Sequence, residues 1–132
     1  MESRTLPRVF IADASAAVIE RLAATLGGVA QVMGCATNAH DAINGIRNGN
    51  PQITVLDIAI DGVELLRQIK KHQPPVAVII LTHSIEEATR QACLRLGAEY
   101  FLDKIRDYDK VREIVSTFGM EGIRSATAPP NR

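Results

Sequence analysis

Five short runs of aliphatic and β-branched residues, each followed by a stretch of helical periodicity, constrain the fold of this chain more than any other feature. The runs are Arg8 to Asp13, Ala30 to Cys35, Ile53 to Asp57, Val76 to Thr82 and Tyr100 to Lys104. The run Ile53-Thr54-Val55-Leu56 is apolar or β-branched throughout, which predicts a strand buried on both faces. Between the runs, apolar residues recur at helical spacing: Val18, Ile19, Leu22, Ala23 and Leu26; then Ala42, Ile43 and Ile46; Leu65, Leu66 and Ile69; Leu94 and Leu96; and Val111, Ile114, Val115 and Phe118. Strict alternation of strand and helix requires a parallel sheet with helices on both faces, because parallel strands need crossover connections and helices supply them. The right-handed crossover rule leaves few strand orders, among them the flavodoxin-like order 2-1-3-4-5. The expected fold is therefore an α/β doubly wound five-stranded parallel sheet with five helices.

Local signals set the expected boundaries. Ser15 is placed to cap the first helix and Gly27-Gly28 to end it; Asn38 caps the second, and Asn48-Gly49-Asn50-Pro51 ends it. Asp61-Gly62-Val63-Glu64 reads as a capping-box-like start to the third helix and Ser84-Ile85-Glu86-Glu87 as a capping box for the fourth, with Gly97 closing it. Ala30 to Cys35 is less apolar than the other strands, which suits a sheet edge. The domain is expected to span 1–119. Residues 120–132 fall in a stretch of Gly, Ser, Ala, Thr and Pro without period that reads as a flexible C-terminal tail or linker.

Composition excludes several functions. Fifteen basic against fifteen acidic residues give a formal net charge of zero, which argues against direct binding to nucleic acid or to an anionic membrane. There is no apolar run of membrane-spanning length and no segment like a signal peptide near the first residue, so the expected location is cytoplasmic. Cys35 and Cys93 lack metal-site or redox spacing and are expected to be packed, reduced thiols. A flavin enzyme of similar architecture is disfavoured, since Asp13-Ala14-Ser15-Ala16-Ala17 offers no Gly- or Thr-rich loop to cradle a phosphate ester.

In an open parallel sheet, ligands bind outside the carboxyl ends of the strands, and four strands here end on useful chemistry: Asp13, Asp57, Thr82 and Lys104. Two carboxylates, joined by a backbone carbonyl such as that of Ala59, are suited to Mg²⁺, which takes few protein ligands and keeps several waters. Aspartate accepts a phosphoryl group as an acyl phosphate, Lys104 is suited to neutralising one phosphoryl oxygen, and the Thr82 hydroxyl to hydrogen-bonding another.

The set Asp13, Leu56-Asp57-Ile58, Leu81-Thr82, Leu96-Gly97-Ala98 and Phe101-Leu102-Asp103-Lys104, in this order, resembles the receiver domain of a two-component response regulator, over about Arg8 to Phe118. The resemblance implies a phosphorelay function without conventional enzyme activity beyond slow self-phosphorylation and dephosphorylation. Asp57 would be the phosphoacceptor, with Asp13, Asp57 and the Ala59 carbonyl holding Mg²⁺. Thr82 would be the signalling hydroxyl, Lys104 the phosphate-binding lysine, and Phe101 the aromatic that moves with Thr82. The implied partners are a histidine kinase or phosphotransfer protein and a downstream protein on the face made by the fourth helix, fifth strand and fifth helix; a homodimer is left open.

Two departures from the family pattern stand out. The usual acidic pair at the end of the first strand reads Asp13-Ala14, which removes a direct metal ligand, leaves Lys104 facing two acids instead of three and predicts weaker Mg²⁺ binding. The loop after Asp57, Ile58-Ala59-Ile60-Asp61-Gly62, lacks the usual Pro and is shorter by about three residues, a small change for a loop that is expected to re-aim the backbone near the acceptor. The alternative these departures suggest is a pseudo-receiver, an interaction module that works without phosphorylation.

Overall fold

The structure is a computed structural model that describes residues 5–83 and 85–124, of which 119–124 are described as backbone only. Five parallel strands, β1 (Arg8–Ala12), β2 (Gln31–Ala36), β3 (Ile53–Leu56), β4 (Ala77–Thr82) and β5 (Tyr100–Asp103), lie in the order β2-β1-β3-β4-β5. The helices are α1 (Ala16–Thr25), α2 (Ala39–Gly49), α3 (Gly62–His72), α4 (Glu87–Arg95) and α5 (Tyr108–Arg124). This is the expected doubly wound sheet, with β2 at an edge as its composition suggested. Helix α5 continues to Arg124, past the boundary expected at 119, and the rest of the expected tail lies outside the described residues.

Strand alternation divides the core into two layers. Val9, Ile11, Val55 and Ile79 face α1 and α5, meeting Leu22, Leu26, Val111 and Val115. Phe10, Leu56, Val78 and Ile80 face the opposite way, onto Ile46 of α2, Leu66 and Ile69 of α3 and Cys93 of α4. Phe10 requires glycines on two sides: a Cβ at Gly45 of α2 would stand 2.5 Å from its ring, and one at Gly34 of β2 would stand 2.9 Å away. The two thiols differ in their surroundings. Cys93 is buried as expected, whereas Cys35 is exposed, because β2 is an edge strand that is only partly covered.

Thr54, on the central strand β3, is fully buried, and its hydroxyl has no hydrogen-bond partner among the described residues. Its strand neighbours are Phe10 and Val78, so the hydroxyl sits on an apolar layer. A buried hydroxyl without a partner costs about 1–3 kcal/mol. Thr54→Val is therefore expected to stabilise the protein by about 1 kcal/mol, seen as a higher urea midpoint at an unchanged slope; a lower midpoint would show that the hydroxyl is satisfied.

Two helix starts differ from expectation. Asp61 precedes α3 in a left-handed conformation, φ 63°, and its side chain caps nothing. Glu64 bonds Arg67 and Gln68 instead of reaching back to the backbone. The capping is done one step earlier: Asp57 accepts the Ala59 N–H and so begins a short 3-10 turn, Ile58–Ile60, that fills the shortened loop. Helix α4 starts at Glu87, with Glu86 at the cap position and no side-chain cap bond, while Ser84, expected to cap it, lies outside the described residues.

Candidate functional site

The strand order reverses on either side of β1, which sends one crossover out to β2 and the next to β3, and this opens a crevice at the carboxyl ends of β1 and β3. The register sets Ala12 of β1 beside Leu56 of β3, so the residues that follow them, Asp13 and Asp57, emerge side by side. Backbone bonds continue the ladder by one residue: Asp57 N–H donates to Ala12 O at 2.9 Å and Asp13 N–H to Ala36 O at 3.0 Å. On the other side of β3, Thr82 ends β4 opposite Asp103, and Lys104 N–H donates to Thr82 O at 2.9 Å. Thus four strand ends are fixed at one level by main-chain bonds alone.

The side chains converge. Lys104 Nζ lies 2.7 Å from Asp13 Oδ2 and 3.3 Å from Asp57 Oδ2. All three residues are buried, at 8%, 2% and 5% exposure, as is Thr82 at 2%. The remaining carboxylate oxygens accept backbone donors: Asp13 Oδ1 from Ser15 N–H at 2.9 Å and Asp57 Oδ1 from Ala59 N–H at 3.1 Å. Buried charges persist only when paired and hydrogen-bonded, and each of these meets that condition. The four residues singled out from the strand ends are therefore brought together, three of them in direct contact.

The other residues near the strand ends have secondary places. Ala14 is exposed beside Asp13 and brings no ligand. Ala59, on the 3-10 turn, directs its N–H at the Asp57 carboxylate. Phe101 is half-buried on β5, beside Ile80 in register and packed on the α2, α3 and α4 layer. His83 is exposed. Asp103 acts as a loop acid, accepting Ile105 N–H at 2.8 Å and so holding the turn that carries Lys104.

Two supporting features were missed by sequence reasoning. Gly62 has no room for a side chain: a Cβ there would lie 2.5 Å from the Asp57 carbonyl oxygen. The short spacing from Asp57 to the next helix was the available signal. Beside the site, Tyr108 starts α5 with its ring 4.0 Å from the Arg21 guanidinium of α1, and burial pushes its phenol above the ordinary range. Arg112 donates to the Thr25 and Gly27 carbonyls at the end of α1, so α1 and α5 are tied at two points.

The fit of this donor set to a magnesium ion follows from its chemistry. Two hard carboxylates point at one position, and an ammonium already lies against both, so the place accepts positive charge. Among the described residues no group of three or more His, Cys, Asp or Glu could hold a metal. An ion held at this place would rely on one or two carboxylates together with phosphate oxygens rather than on an all-protein cage.

Comparison with known proteins agrees with this geometry. Residues 9–116 match the family model described as response regulator receiver domain. The chain is 30% identical over 84 residues to the regulatory protein AtoC of Escherichia coli, covering 61% of this chain and 18% of that protein. It is 29% identical over 100 residues to the response regulator MprA of Mycobacterium sp., covering 74% and 44% respectively. The chain thus spans less than half the length of these curated relatives. Among solved structures it resembles the response regulator domain of Thermotoga maritima CheB, with a TM-score of 0.72, 27% identity and coverage of 96% of this chain and 100% of that one.

Proposed function

The chain belongs to the response regulator receiver domain family, and from that membership we propose that Asp57 is its phosphoacceptor, served by Asp13, Thr82 and Lys104. The observation that carries this reading is the Lys104 ammonium held against two buried carboxylates at the strand ends. In the proposed reaction a carboxylate oxygen of Asp57 attacks the phosphorus of a phosphohistidine, the phosphorus–nitrogen bond breaks, the imidazole leaves and an acyl phosphate remains. Asp13, Asp57 and the Ala59 carbonyl would hold a magnesium ion, which when bound supplies positive charge against the phosphoryl oxygens. Lys104 neutralises a phosphoryl oxygen, and the Thr82 hydroxyl donates to another. Asp103 keeps the Lys104 turn in place, and the Ala59 N–H fixes the Asp57 carboxylate.

Response regulators interact with histidine kinases and with downstream effectors. For this chain we place the donor, a histidine kinase or phosphotransfer protein, at the Asp57 crevice and the downstream partner on α4, β5 and α5. In support, the large hydrophobic side chains that stand exposed among the described residues, Ile85, Tyr100 and Ile105, all fall between β4 and α5. An apolar groove of about 420 Å³, lined by Ile79, Tyr100, Ile114 and Phe118, lies where β4 and β5 meet α5. No helix among the described residues is long and apolar enough to cross a membrane. The family matches are to response regulators, which gives the phosphorylation-independent module no support over the phosphoacceptor.

Incubation with Mg²⁺ and a small acyl phosphate donor tests the site. We expect intact-mass spectrometry to show one phosphoryl group per chain, removed by hydroxylamine and absent from Asp57→Asn. Failure to incorporate phosphate from either the small donor or a cognate kinase would reject the reading.

A further inference from the structure

We infer that Asn48 is a site of spontaneous deamidation and that Arg8 governs how fast it reacts. The inference is independent of the phosphoacceptor reading, because it concerns the end of the sheet where the strands begin. It starts from a packing demand. Helix α2 carries two Asn-Gly pairs one turn apart, Asn44-Gly45 and Asn48-Gly49. Packing dictates both glycines: a Cβ at Gly45 would run into the Phe10 ring, and one at Gly49 into the end of the Met33 side chain. A glycine after asparagine leaves the next backbone nitrogen without a side chain to shield it, and both asparagines are exposed to water.

In the reaction the glycine nitrogen attacks Cγ of the asparagine side chain. A nitrogen–carbon bond forms, the bond from Cγ to the amide nitrogen breaks, and that nitrogen leaves as ammonia with the proton of the glycine N–H. One water then opens the cyclic imide at either carbonyl, giving aspartate or isoaspartate. Helical backbone angles turn the glycine nitrogen away from Cγ and engage its N–H in the ladder, so the helix must open locally first. The two pairs differ in what that opening breaks. Asn44 lies between Ala42 and Ile46, both fully buried, so opening there disrupts the core. Asn48 lies in the last turn, beyond the last buried residue of α2, and the helix ends at Asn50 in a left-handed conformation, φ 46°. Helix ends fray, but this one is tied to its neighbours. The Arg8 guanidinium donates to the carbonyls of Gly49 and Asn50, and Gln73 Nε2 donates to Ile46 O at 3.0 Å. Arg8 therefore holds the residue whose nitrogen must swing toward Cγ. The product brings a new carboxylate to position 48 and, as isoaspartate, an extra backbone carbon, which moves Gly49 away from both Arg8 and Met33.

Storage of the full chain in mildly alkaline buffer, sampled by peptide mass spectrometry for conversion of amide to acid, tests the site. In the folded protein Asn48 is expected to convert on the order of tenfold faster than Asn44, and in urea, where neither is helical, the two are expected to convert at similar rates. Arg8→Met is expected to raise the Asn48 rate several-fold while the Asn44 rate stays the same, which makes Asn44 an internal gauge of global opening. Equal rates at the two asparagines in the folded protein would overturn the site. So would an intact Asn48 after a time in which the urea-unfolded chain has fully converted. An unchanged Asn48 rate in Arg8→Met, or a rise matched at Asn44, would overturn the role given to Arg8.

Discussion

Replacing Lys104 by Met is expected to cost about 3–5 kcal/mol of folding stability, a large share of what a domain of this size has. The methionine keeps the length of the aliphatic stem but removes the ammonium, leaving Asp13 and Asp57, at 2% and 5% exposure, as neighbouring buried carboxylates with no counter-charge. Breaking a buried pair from one side is expensive because the penalty is the stranded charge and not only the lost contact. The surface pair between Arg67 and Glu64, with side chains about half exposed, provides the contrast. Arg67→Met is expected to cost far less than Lys104→Met, since solvent screens that pair. Urea unfolding measures both. In the Lys104→Met background, adding Asp57→Asn is expected to restore part of the loss, with a coupling energy of about 1–3 kcal/mol. A cost for Lys104→Met no greater than that for Arg67→Met would show that the ammonium does not hold the crevice together.

The convergence on Lys104 was legible in the sequence to the extent that strand ends were legible. Asp13, Asp57, Thr82 and Lys104 each follow an apolar run, and a parallel sheet brings the ends of such runs to one level. The sheet order followed from the same alternation. What periodicity does not encode is how a polar side chain divides its bonds between alternatives. Asp61 and Glu64 look like a capping box, yet Asp57, four residues before Asp61, caps the turn first and leaves Asp61 in a left-handed conformation with no cap to make. The start of α4 was placed early for a similar reason: only Cys93 of that helix is buried, so few apolar contacts mark where it begins. Cys35 was expected to be packed because its neighbours in the sequence are small or apolar, but an edge strand leaves one side uncovered. The pairing of Lys104 with Asp13 over Asp57 depends on distances that no spacing rule contains.

Gly62→Ala is expected to destabilise the protein by about 3 kcal/mol and to disturb the acceptor at the same time. The reason is steric and local. A Cβ at position 62 would lie 2.5 Å from the Asp57 carbonyl oxygen and 3.0 Å from its carbonyl carbon, and these are backbone atoms, with no flexible side chain to move aside. The Asp57 carbonyl belongs to the residue that follows β3, whose own N–H is bonded to Ala12 O, so movement there pulls on the β1–β3 ladder. The alternative is to shift the start of α3, which would displace Leu65 and Leu66 from the core layer that holds Phe10 and Ile80. Gly28 separates this mechanism from backbone strain. It has φ 87° with nothing within 4 Å of an added Cβ, so Gly28→Ala is expected to cost only the left-handed penalty, about 1–2 kcal/mol, and to leave the site untouched. Gly62 is not among the residues of positive φ, so its penalty comes from the contact alone. Both variants are to be compared by urea midpoint and by the rate of phosphoryl incorporation from a small donor. We expect Gly62→Ala to slow incorporation even at temperatures where it is fully folded, because the Asp57 carbonyl and its carboxylate move as one residue, and Gly28→Ala to incorporate at the wild-type rate. Equal rates for the two folded variants would mean that the short turn supports the fold without aiming the acceptor.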